Sequence, residues 1–391
     1  MVEWKKIEDL GPYFGGLTGK TKEDFVDGNA KFITYMNVFA NASLDITSTG
    51  VVRISDGERQ NKIQKGDILF TGSSETPDEA GMSCVVTEEL NEDYYMNSFC
   101  FGIRLNNPEQ YCLNYLKHIL RSSDVRKSIS KSASGVTRFN ISKARFGKIQ
   151  IPIPSLEEQT RIVGILDTFT SAIDNLKEQI AQRRKQYEYY RDQLLDLEGK
   201  EGVEMKALGD FCNTLSGFPF DSSQFSDDGI QLMRGANIKR GYFDFSQELN
   251  KYWASSEGLE KYLLEPNDII ISMDGSLVGR SFCYLRSEHK PFLLVQRVAR
   301  VRTKENFKYV YYNITKSFPD YVDKRKTAGA IPHISMKDIN SFTIPVPSLS
   351  EQQRIVSILD TFEASIQNLE AQLKQREKQY EYYRNKLLTF D

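Results

Sequence analysis

Two stretches of the chain carry apolar residues at alternating steps of three and four positions. The first stretch runs from Leu166 to Leu194 and the second from Leu359 to Leu387. This spacing aligns the apolar side chains along one seam of a helix, which is typical of a coiled coil. The pattern predicts two long helices, each about 45 Å in length for some 30 residues at roughly 1.5 Å per residue. The alternative is two ordinary amphipathic helices, each packed on its own domain.

The two predicted helices belong to a longer duplicated segment. Residues 151–197 and 344–390 align without a gap, and about 30 of the 47 aligned positions are identical. Each copy starts with two prolines, which favour extended backbone, and continues with a Ser-x-x-Glu sequence typical of a helix N-terminus. The N-cap candidates are Ser155 and Ser348. The chain is therefore predicted to consist of two equivalent halves.

The region before each long helix is predicted to be a mixed domain of short strands and helices. Short apolar runs separated by turn residues predict strands, and longer runs predict helices. The predicted strands of the first region are Phe32–Phe39, Val51–Ile54, Ile68–Thr71, Met82–Thr87 and Asn97–Arg104, and the predicted helices of the two regions are Glu109–Leu120 and Phe307–Tyr321. The four predicted segments are a first mixed domain at 1–150, a first helix at 151–198, a second mixed domain at 199–343 and a second helix at 344–391.

The two halves are more alike in their long helices than in their mixed domains. The helices are nearly interchangeable, whereas the mixed domains share only scaffold positions such as Asp67 and Asp268. This contrast indicates that both halves hold the same partner and recognise different things. Arg183 and Arg376 interrupt the apolar seams. Either their stems pack while the charged ends reach water, or they fix the helix register by pairing with acids.

Composition adds few constraints on function. The chain has 391 residues, of which 40% are hydrophobic and 12% aromatic, and its net charge of −2 excludes a bulk polycation. The five cysteines include no Cys-x-x-Cys pair, and with only three histidines there is no clustered metal site. No apolar run is long enough to cross a membrane, and the first residues do not resemble a signal peptide. We expect a cytoplasmic protein without metal and without membrane association.

Basic residues are concentrated in one part of the first half. Between Arg121 and Lys148, eight basic residues accompany one acid, Asp124. The eight are Arg121, Arg126, Lys127, Lys131, Arg138, Lys143, Arg145 and Lys148. A basic face on a nearly neutral protein is suited to binding phosphates, although many solvated loops have the same composition.

The chain lacks the common catalytic motifs. Gly15–Thr21 resembles a phosphate-binding Walker A loop, but only three residues separate its first glycine from Gly19, and no predicted strand leads into it. There is no G-x-G-x-x-G sequence after a strand, no Asn-Pro-Pro-Tyr-type tetrapeptide, and no serine or cysteine nucleophile motif. These observations together favour a binding protein over an enzyme.

The starts of the two helices share the motif I-P-x-P-S-L-x-E-Q-x-R-I-V-x-I-L-D, at Ile151–Asp167 and Ile344–Asp360. With two dissimilar domains separated by these nearly identical helices, the whole chain resembles the specificity subunit of a type I restriction–modification enzyme. The resemblance implies an α+β fold, in which two mixed α/β target-recognition domains are separated by two long antiparallel helices that form a coiled coil with pseudo-two-fold symmetry. It also implies a non-catalytic subunit that reads a bipartite DNA target, with one domain for each half-site.

The same resemblance implies partners and cofactors. The subunit would bind double-stranded DNA, scaffold two methyltransferase subunits and associate with restriction or motor subunits. The assembled complex would be an adenine DNA methyltransferase and an ATP-dependent endonuclease. The subunit itself would hold no cofactor, because S-adenosylmethionine, ATP and Mg²⁺ would belong to its partners. The rival interpretations are a coiled-coil scaffold with two protein-binding domains, and a nuclease or nucleotide-dependent enzyme.

The helix length agrees with the scale of DNA. Half-sites on one face of a duplex are about 34 Å apart for each helical turn. A helical spacer of about 45 Å would therefore hold two reading domains one turn, or slightly more, apart.

Three sets of residues are candidates for binding. Basic loop residues expected to contact phosphates are Lys131, Arg138, Lys324, Arg325 and Lys326. Loop residues expected to contact base edges are Ser134, Thr137, Arg234, Asn237, Thr327 and His333. Helix tyrosines expected to hold partner subunits are Tyr187, Tyr189, Tyr190, Tyr380, Tyr382 and Tyr383, of which Tyr189 and Tyr382 lie outside the seam. For each DNA candidate the alternative is an ordinary turn or surface residue.

Overall fold

The computed structural model of the protein describes residues 2–287, 290–326 and 332–390. The chain forms two compact units, of which the first consists of residues 1–178 and 370–391 and the second of residues 179–369. Each unit therefore contains the beginning of one long helix and the end of the other.

The first unit contains short strands and short helices before its long helix. Its strands are β1 (Glu3–Lys6), β2 (Tyr13–Gly15), β3 (Ala30–Ile33), β4 (Thr49–Val52), β5 (Asp67–Thr71), β6 (Ser73–Ser74), β7 (Ser83–Val85), β8 (Tyr94–Met96), β9 (Cys100–Arg104), β10 (Ala133–Ser134), β11 (Phe139–Ile141) and β12 (Gln150–Ile153). Its helices are α1 (Ile7–Leu10), α2 (Tyr35–Ala40), α3 (Leu113–Ile119), α4 (Ser123–Ser132), α5 (Lys143–Gly147) and the long helix α6 (Leu156–Leu194), which continues into the second unit.

The second unit repeats this organisation. Its strands are β13 (Glu204–Ala207), β14 (Cys212–Ser216), β15 (Ile230–Met233), β16 (Tyr252–Trp253), β17 (Ile269–Ser272), β18 (Phe282–Tyr284), β19 (Phe292–Leu294), β20 (Val298–Thr303) and β21 (Thr343–Val346). Its helices are α7 (Leu208–Phe211), α8 (Phe307–Asp323), α9 (Met336–Asn340) and the long helix α10 (Leu349–Leu387), which continues into the first unit.

Three sheets of the first unit correspond strand by strand to sheets of the second. A four-stranded sheet has the order β2-β9-β5-β7 in the first unit and β14-β20-β17-β18 in the second. A three-stranded sheet has the order β4-β3-β8 or β16-β15-β19, with the last pair parallel in both units. A two-stranded sheet, β1-β12 or β13-β21, joins the start of each unit to the strand before its long helix. The predicted duplication therefore extends to the mixed domains, whose sequences have diverged.

An ion pair between a buried aspartate and a partly exposed arginine marks the same place in both central sheets. Asp67 at the start of β5 accepts two hydrogen bonds from Arg104 at the end of β9, at 3.0 and 2.8 Å. Asp268 and Arg302 form the same pair in the second unit, at 2.6 and 2.7 Å. Because both carboxylates are fully buried, removal of either arginine would leave an uncompensated charge in the core.

Burial along the long helices follows the predicted seam. Leu166, Ile173 and Ile180 are buried at seven-residue intervals on α6, and Leu359 is buried on α10. Such periodic burial is expected where two helices pack side by side. The predicted pair of long helices is confirmed.

Contacts within the first unit define the direction of this packing. The ring of Phe169 stacks on the ring of Tyr383, with a centroid distance of 5.2 Å. Seven residues later on α6, Leu176 lines a small cavity with Arg376, which precedes Tyr383 by seven residues. A forward step on α6 thus corresponds to a backward step on α10, so the two segments are antiparallel.

The two arginines in the seams lie over aromatic rings. The guanidinium carbon of Arg376 is 5.9 Å from the ring centroid of Phe169, and that of Arg183 is 5.9 Å from the ring centroid of Phe362. Arg376 also donates to the Gln379 side chain at 2.9 Å. Each charged group thus lies near an aromatic ring of the other long helix, a contact that neither of the two sequence interpretations included.

Each long helix starts as the duplicated motif predicts. The hydroxyl oxygens of Ser155 and Ser348 accept hydrogen bonds from the backbone three residues later, both at 3.4 Å. The glutamates of the motif, Glu158 and Glu351, form ion pairs one turn further along their helices, each with the arginine three residues later. The serines therefore cap the helices, and the glutamates pair within the first turns.

A buried glutamine fixes each helix start to its own unit. Gln159 donates to the Pro154 carbonyl oxygen at 2.8 Å and accepts from the Cys112 backbone at 2.9 Å. Gln352 makes the same two contacts, with Pro347 at 3.0 Å and Asn306 at 3.2 Å. A duplicated polar residue of the motif thus has a structural role, because it satisfies backbone groups inside the core.

One predicted strand is partly wrong. Phe32–Phe39 was expected to be extended, but β3 ends at Ile33 and Tyr35–Ala40 form α2. The cause is local, because the Thr34 side chain accepts a hydrogen bond from the Asn37 backbone at 3.2 Å and caps a helix.

Candidate functional site

A hairpin in the first unit carries several of the predicted DNA contacts. Strands β10 and β11 pair antiparallel, with Ser134 opposite Asn140, and β11 pairs in turn with β6. Gly135 in the connecting loop has a φ of 154°, and a Cβ there would lie 1.9 Å from the Arg138 carbonyl oxygen. The tight turn therefore requires glycine, and it exposes Thr137 and Arg138.

Arg138 is held in position by two neighbours. Its Nε donates to the Ser73 hydroxyl at 2.9 Å, and its guanidinium carbon lies 4.9 Å from the ring centroid of Phe99. Phe99 is 55% exposed. The Ser73 carbonyl oxygen accepts from the Tyr35 hydroxyl at 2.8 Å. We call the cleft of about 450 Å³ between these groups the hairpin cleft; its other lining residues include Met36, Glu75, Glu79 and Thr137.

The structure brings Ser134, Thr137 and Arg138 onto one hairpin. Lys131 is exposed in the last turn of α4, immediately before this hairpin. Their roles in DNA contact stay predictions. The sequence did not identify three residues around Arg138, namely Ser73, Phe99 and Tyr35. They lie 39 to 103 residues before Arg138 in the chain, and the pairing of β6 with β11 brings them close to it.

Two members of the predicted basic face point inwards. Arg121 donates to the carbonyl oxygens of Ser83 and Asn41, at 2.8 and 2.7 Å, and Arg126 donates to those of Ala80 and Asp78, both at 2.7 Å. Burial lowers the pKa of Arg121, and lowers that of Arg126 to about 10. The prediction of a phosphate-binding surface is therefore wrong for these two residues, which organise loop carbonyl groups.

Asn237 was predicted to contact bases, and the structure contradicts this prediction. Its side chain is fully buried, donates to the Asp244 carbonyl oxygen at 3.0 Å and accepts from the Arg234 backbone at 3.2 Å. The equivalent Asn37 likewise donates to loop carbonyl oxygens. The amide anchors a loop, because its hydrogen-bonding groups are used inside the protein. Arg234 itself is half-buried, and its guanidinium carbon lies 5.8 Å from the ring centroid of Phe225.

The second basic loop has mixed surroundings. Lys326 forms an ion pair with Asp323 at 2.8 Å, and the guanidinium of Arg325 lies 3.9 Å from the ring centroid of Tyr321. Lys324 is exposed and lines an open cavity of about 620 Å³ together with Arg325. Thr327 lies outside the described residues. His333 is exposed and pairs through its backbone with Asp274.

The helix tyrosines form two equivalent sets. Tyr190 stacks on Phe362 at 5.4 Å within the second unit, as Tyr383 stacks on Phe169 within the first. Tyr189 and Tyr382 are 59% and 60% exposed. Tyr187 donates to Glu363 at 3.2 Å, and Tyr380 contacts His118 at 2.9 Å. The four residues in the seam therefore have contacts inside the protein, while Tyr189 and Tyr382 offer the larger free surface.

The motif aspartates connect the long helices to the mixed domains. His118 on α3 lies 2.9 Å from Asp167 through Nε2 and 2.9 Å from Tyr380 through Nδ1. At the equivalent position of α8, the Tyr312 hydroxyl donates to Asp360 at 2.6 Å. Burial lowers the pKa of His118. Although burial acts to raise the pKa of Asp167, hydrogen bonds from His118 and the neighbouring Lys117 hold it below its usual value.

Two further observations apply only to the residues that the structure describes. Within 2–287, 290–326 and 332–390, no group of three or more His, Cys, Asp or Glu side chains is arranged to hold a metal ion. In the same ranges, none of the helices combines the length and the apolar character that crossing a membrane requires.

The chain is similar to a family of known proteins. The family described as type I restriction modification DNA specificity domain matches residues 1–183 and 200–377. The specificity subunit of the Escherichia coli type I restriction enzyme EcoR124I/EcoR124II is 36% identical over 259 residues, which cover 62% of this chain and 63% of that protein. The EcoAI specificity subunit of Escherichia coli is 30% identical over 191 residues, covering 47% and 32%. The match thus spans less than two thirds of either relative.

Longer but weaker similarities cover most of the chain. The EcoKI specificity subunit of Escherichia coli strain K12 is 26% identical over 363 residues, covering 86% of this chain and 76% of that protein. A crystal structure of the S subunit of a type I restriction–modification system from M. genitalium has a TM-score of 0.56 at 16% identity, covering 100% of this chain and 97% of that one. A chain from a study of type I complex assembly and conformational transition has a TM-score of 0.65 at 18% identity, covering 100% and 98%. The two structures share the fold.

Proposed function

The chain belongs to the family of type I restriction–modification DNA specificity subunits, and from this premise we propose that it reads a bipartite DNA sequence, one half-site with each unit. The observation that carries the proposal is a duplicated scaffold with dissimilar loops. Three sheets of the first unit correspond strand by strand to the three sheets described in the second. The loops around these sheets differ between the units. At one equivalent position the first unit has Ser73, which pairs with Asn140, and the second has Asp274, which pairs with His333.

The exposed loop residues support contact with nucleic acid. Lys131 and Lys324 are exposed, and flexible lysines on a surface are suited to phosphates. The loop at Gly135 connects the hairpin strands β10 and β11, and the major groove of DNA admits β-hairpins as well as helices. Phosphate contacts would orient each unit, and contacts to base edges would select the sequence.

The long helices support a role as spacer and scaffold. Each contains 39 residues, which at roughly 1.5 Å per residue is about 58 Å, and both run from one unit into the other. Because the duplicated helix surfaces are nearly identical, they would present the same contacts twice, to two methyltransferase subunits. Tyr189 and Tyr382 are the most exposed aromatic residues of these surfaces, and interfaces favour tyrosine.

Catalysis would belong to the companions. In this proposal the chain contributes sequence recognition and assembly, while methyltransferase subunits supply S-adenosylmethionine chemistry and restriction or motor subunits use ATP and Mg²⁺. The rival interpretation is a scaffold whose mixed domains bind proteins. Such a scaffold should enrich no DNA sequence.

Selection from a pool of random duplexes tests the proposal. The full chain, alone and with its methyltransferase companions, should enrich a motif of two defined half-sites separated by unspecified base pairs. Recovery of unenriched sequences with the companions present would favour the scaffold. Enrichment of one continuous motif would contradict the assignment of one half-site to each unit.

A further inference from the structure

Arg138 was expected from the sequence to contact a phosphate, yet its surroundings are those of a base reader. The hairpin cleft places two carboxylates, Glu75 and Glu79, on the same lining as its guanidinium. Carboxylates repel phosphates, so the cleft is poorly suited to the DNA backbone. Base edges carry both donors and acceptors and suit a cleft of mixed charge.

The guanidinium is also oriented in advance. Ser73 accepts from Nε at 2.9 Å, and the Phe99 ring covers one face of the group. Within the parts of the chain that the structure describes, neither Nη1 nor Nη2 of Arg138 forms a hydrogen bond or an ion pair with the protein, so both donor groups are available to a ligand. A fork of two donors matches the O6 and N7 acceptors of guanine in the major groove.

We propose that Arg138 is a specificity-determining residue of the first unit and donates both Nη groups to one guanine of that unit's half-site. This inference rests on the proposed DNA recognition. It specifies guanine as the base and the two Nη groups of Arg138 as the donors. Ser73 and Phe99 are positioning residues, because they hold the fork in one orientation before DNA arrives. Prior orientation reduces the conformational entropy lost on binding.

The second unit differs at the same position, which supports a role in specificity. β6 pairs through Ser73 with Asn140, and the equivalent bridge joins Asp274 with His333. Five residues before the arginine that pairs with the buried aspartate of each central sheet, the first unit has Phe99 and the second has Arg297. Arg297 is paired with Asp274 at 3.3 Å. The Phe99 ring that orients Arg138 thus has no aromatic counterpart in the second unit. The two units should therefore select different bases at this position of their half-sites.

The test compares variants of the full chain, assembled with its methyltransferase companions, in selections from random duplexes. Arg138→Ala should reduce the preference for guanine at one position of one half-site roughly 5- to 150-fold, the value of a bidentate contact. The other half-site should be unchanged. Arg138→Lys should lose most of the same preference although the charge is kept, because an ammonium group lacks the planar fork.

Lys131→Ala is the matched control, since it removes a nearby exposed charge. It should weaken binding to all sequences alike and leave the guanine preference intact. Thermal unfolding of each variant establishes that the chain remains folded. The inference is overturned if Arg138→Ala keeps the guanine preference, weakens all sequences equally, or alters a position that is not guanine. A wild-type chain that enriches no motif would instead overturn DNA recognition itself.

Discussion

His118 donates its Nε2 hydrogen to the Asp167 carboxylate at 2.9 Å, and so joins the first mixed domain to the start of α6. A carboxylate only accepts hydrogen bonds, so Nε2 carries a proton, and in the neutral ring Nδ1 accepts from the Tyr380 hydroxyl. Burial, together with the charges of Lys117 and Arg384, lowers the pKa of His118 below its usual 6.5.

Stability of the first unit should therefore fall on mild acidification. Below pH 6.5 the unfolded chain binds a proton at His118 that the folded chain does not, so the free energy of unfolding decreases as pH falls. One proton contributes at most about 1.4 kcal/mol for each pH unit. Urea unfolding followed by circular dichroism between pH 5 and 8 measures this slope.

The second unit suggests the matched variant. Tyr312 occupies the equivalent position and bonds to its own motif aspartate without a titrating ring at this pH. His118→Tyr should remain folded and lose the decline between pH 5 and 6.5, relative to wild type. An identical slope in wild type and variant would mean that His118 is not the responsible group.

Changing the length of the helical pair should change the gap in the DNA target. Insertion of seven residues after Glu178 and seven before Glu370 keeps the apolar seam in phase. The helices lengthen by about 10 Å, equivalent to about three base pairs at 3.4 Å each. Random-duplex selection should recover both original half-sites with a gap longer by that amount.

Insertion into only one helix is the control for this experiment, because it leaves seven residues of the seam unpaired. That variant should lose helical stability and split-motif binding together. If the double insertion kept the original gap, the helices would not be the spacer.

Lys131 and Lys324 should act through charge alone. Replacing either with alanine should weaken binding to every duplex and reduce the slope of log affinity against log salt by about 0.9. Lys127, one turn earlier on α4, is already near Asp124 at 3.8 Å, so Lys127→Ala should have a smaller effect. Filter binding at several salt concentrations measures the slopes. A change in base preference would show a role beyond phosphate contact.

Tyr189 and Tyr382 should each hold one methyltransferase subunit. Replacing one with serine should weaken one of two equivalent binding events by about 2 kcal/mol, or ~30-fold, as expected for a tyrosine central to an interface. The double variant should lose both subunits. Analytical ultracentrifugation of the purified assembly gives the stoichiometry.

The neighbouring tyrosines provide the contrast. Tyr190 and Tyr383 stack on phenylalanines of the helical pair, so serine there should lower the thermal stability of the chain itself. Full companion binding by the double variant at Tyr189 and Tyr382 would contradict the assigned surface.

Binding residues were harder to predict than the scaffold, and Asn237 and Arg121 illustrate why. Both are polar or basic residues in regions expected to be loops, and from sequence both suit a DNA surface. Their side chains satisfy backbone carbonyl groups in the interior instead. Residue type alone does not determine whether a donor faces water or a buried acceptor, because that depends on which distant loops fold beside it.

The sequence by itself determined the duplication, the long helices and their capped starts. These features follow from local spacing, such as the seven-residue recurrence of Leu166 and Ile173 and the Ser155 cap, which any helix of that sequence would express. Only the tertiary structure decided which residues form the hairpin cleft and which histidine joins a motif aspartate. Ser73 contacts Arg138, and His118 contacts Asp167, through the packing of elements that are distant in sequence. Such long-range contacts cannot be recognised from the spacing of residues along the chain.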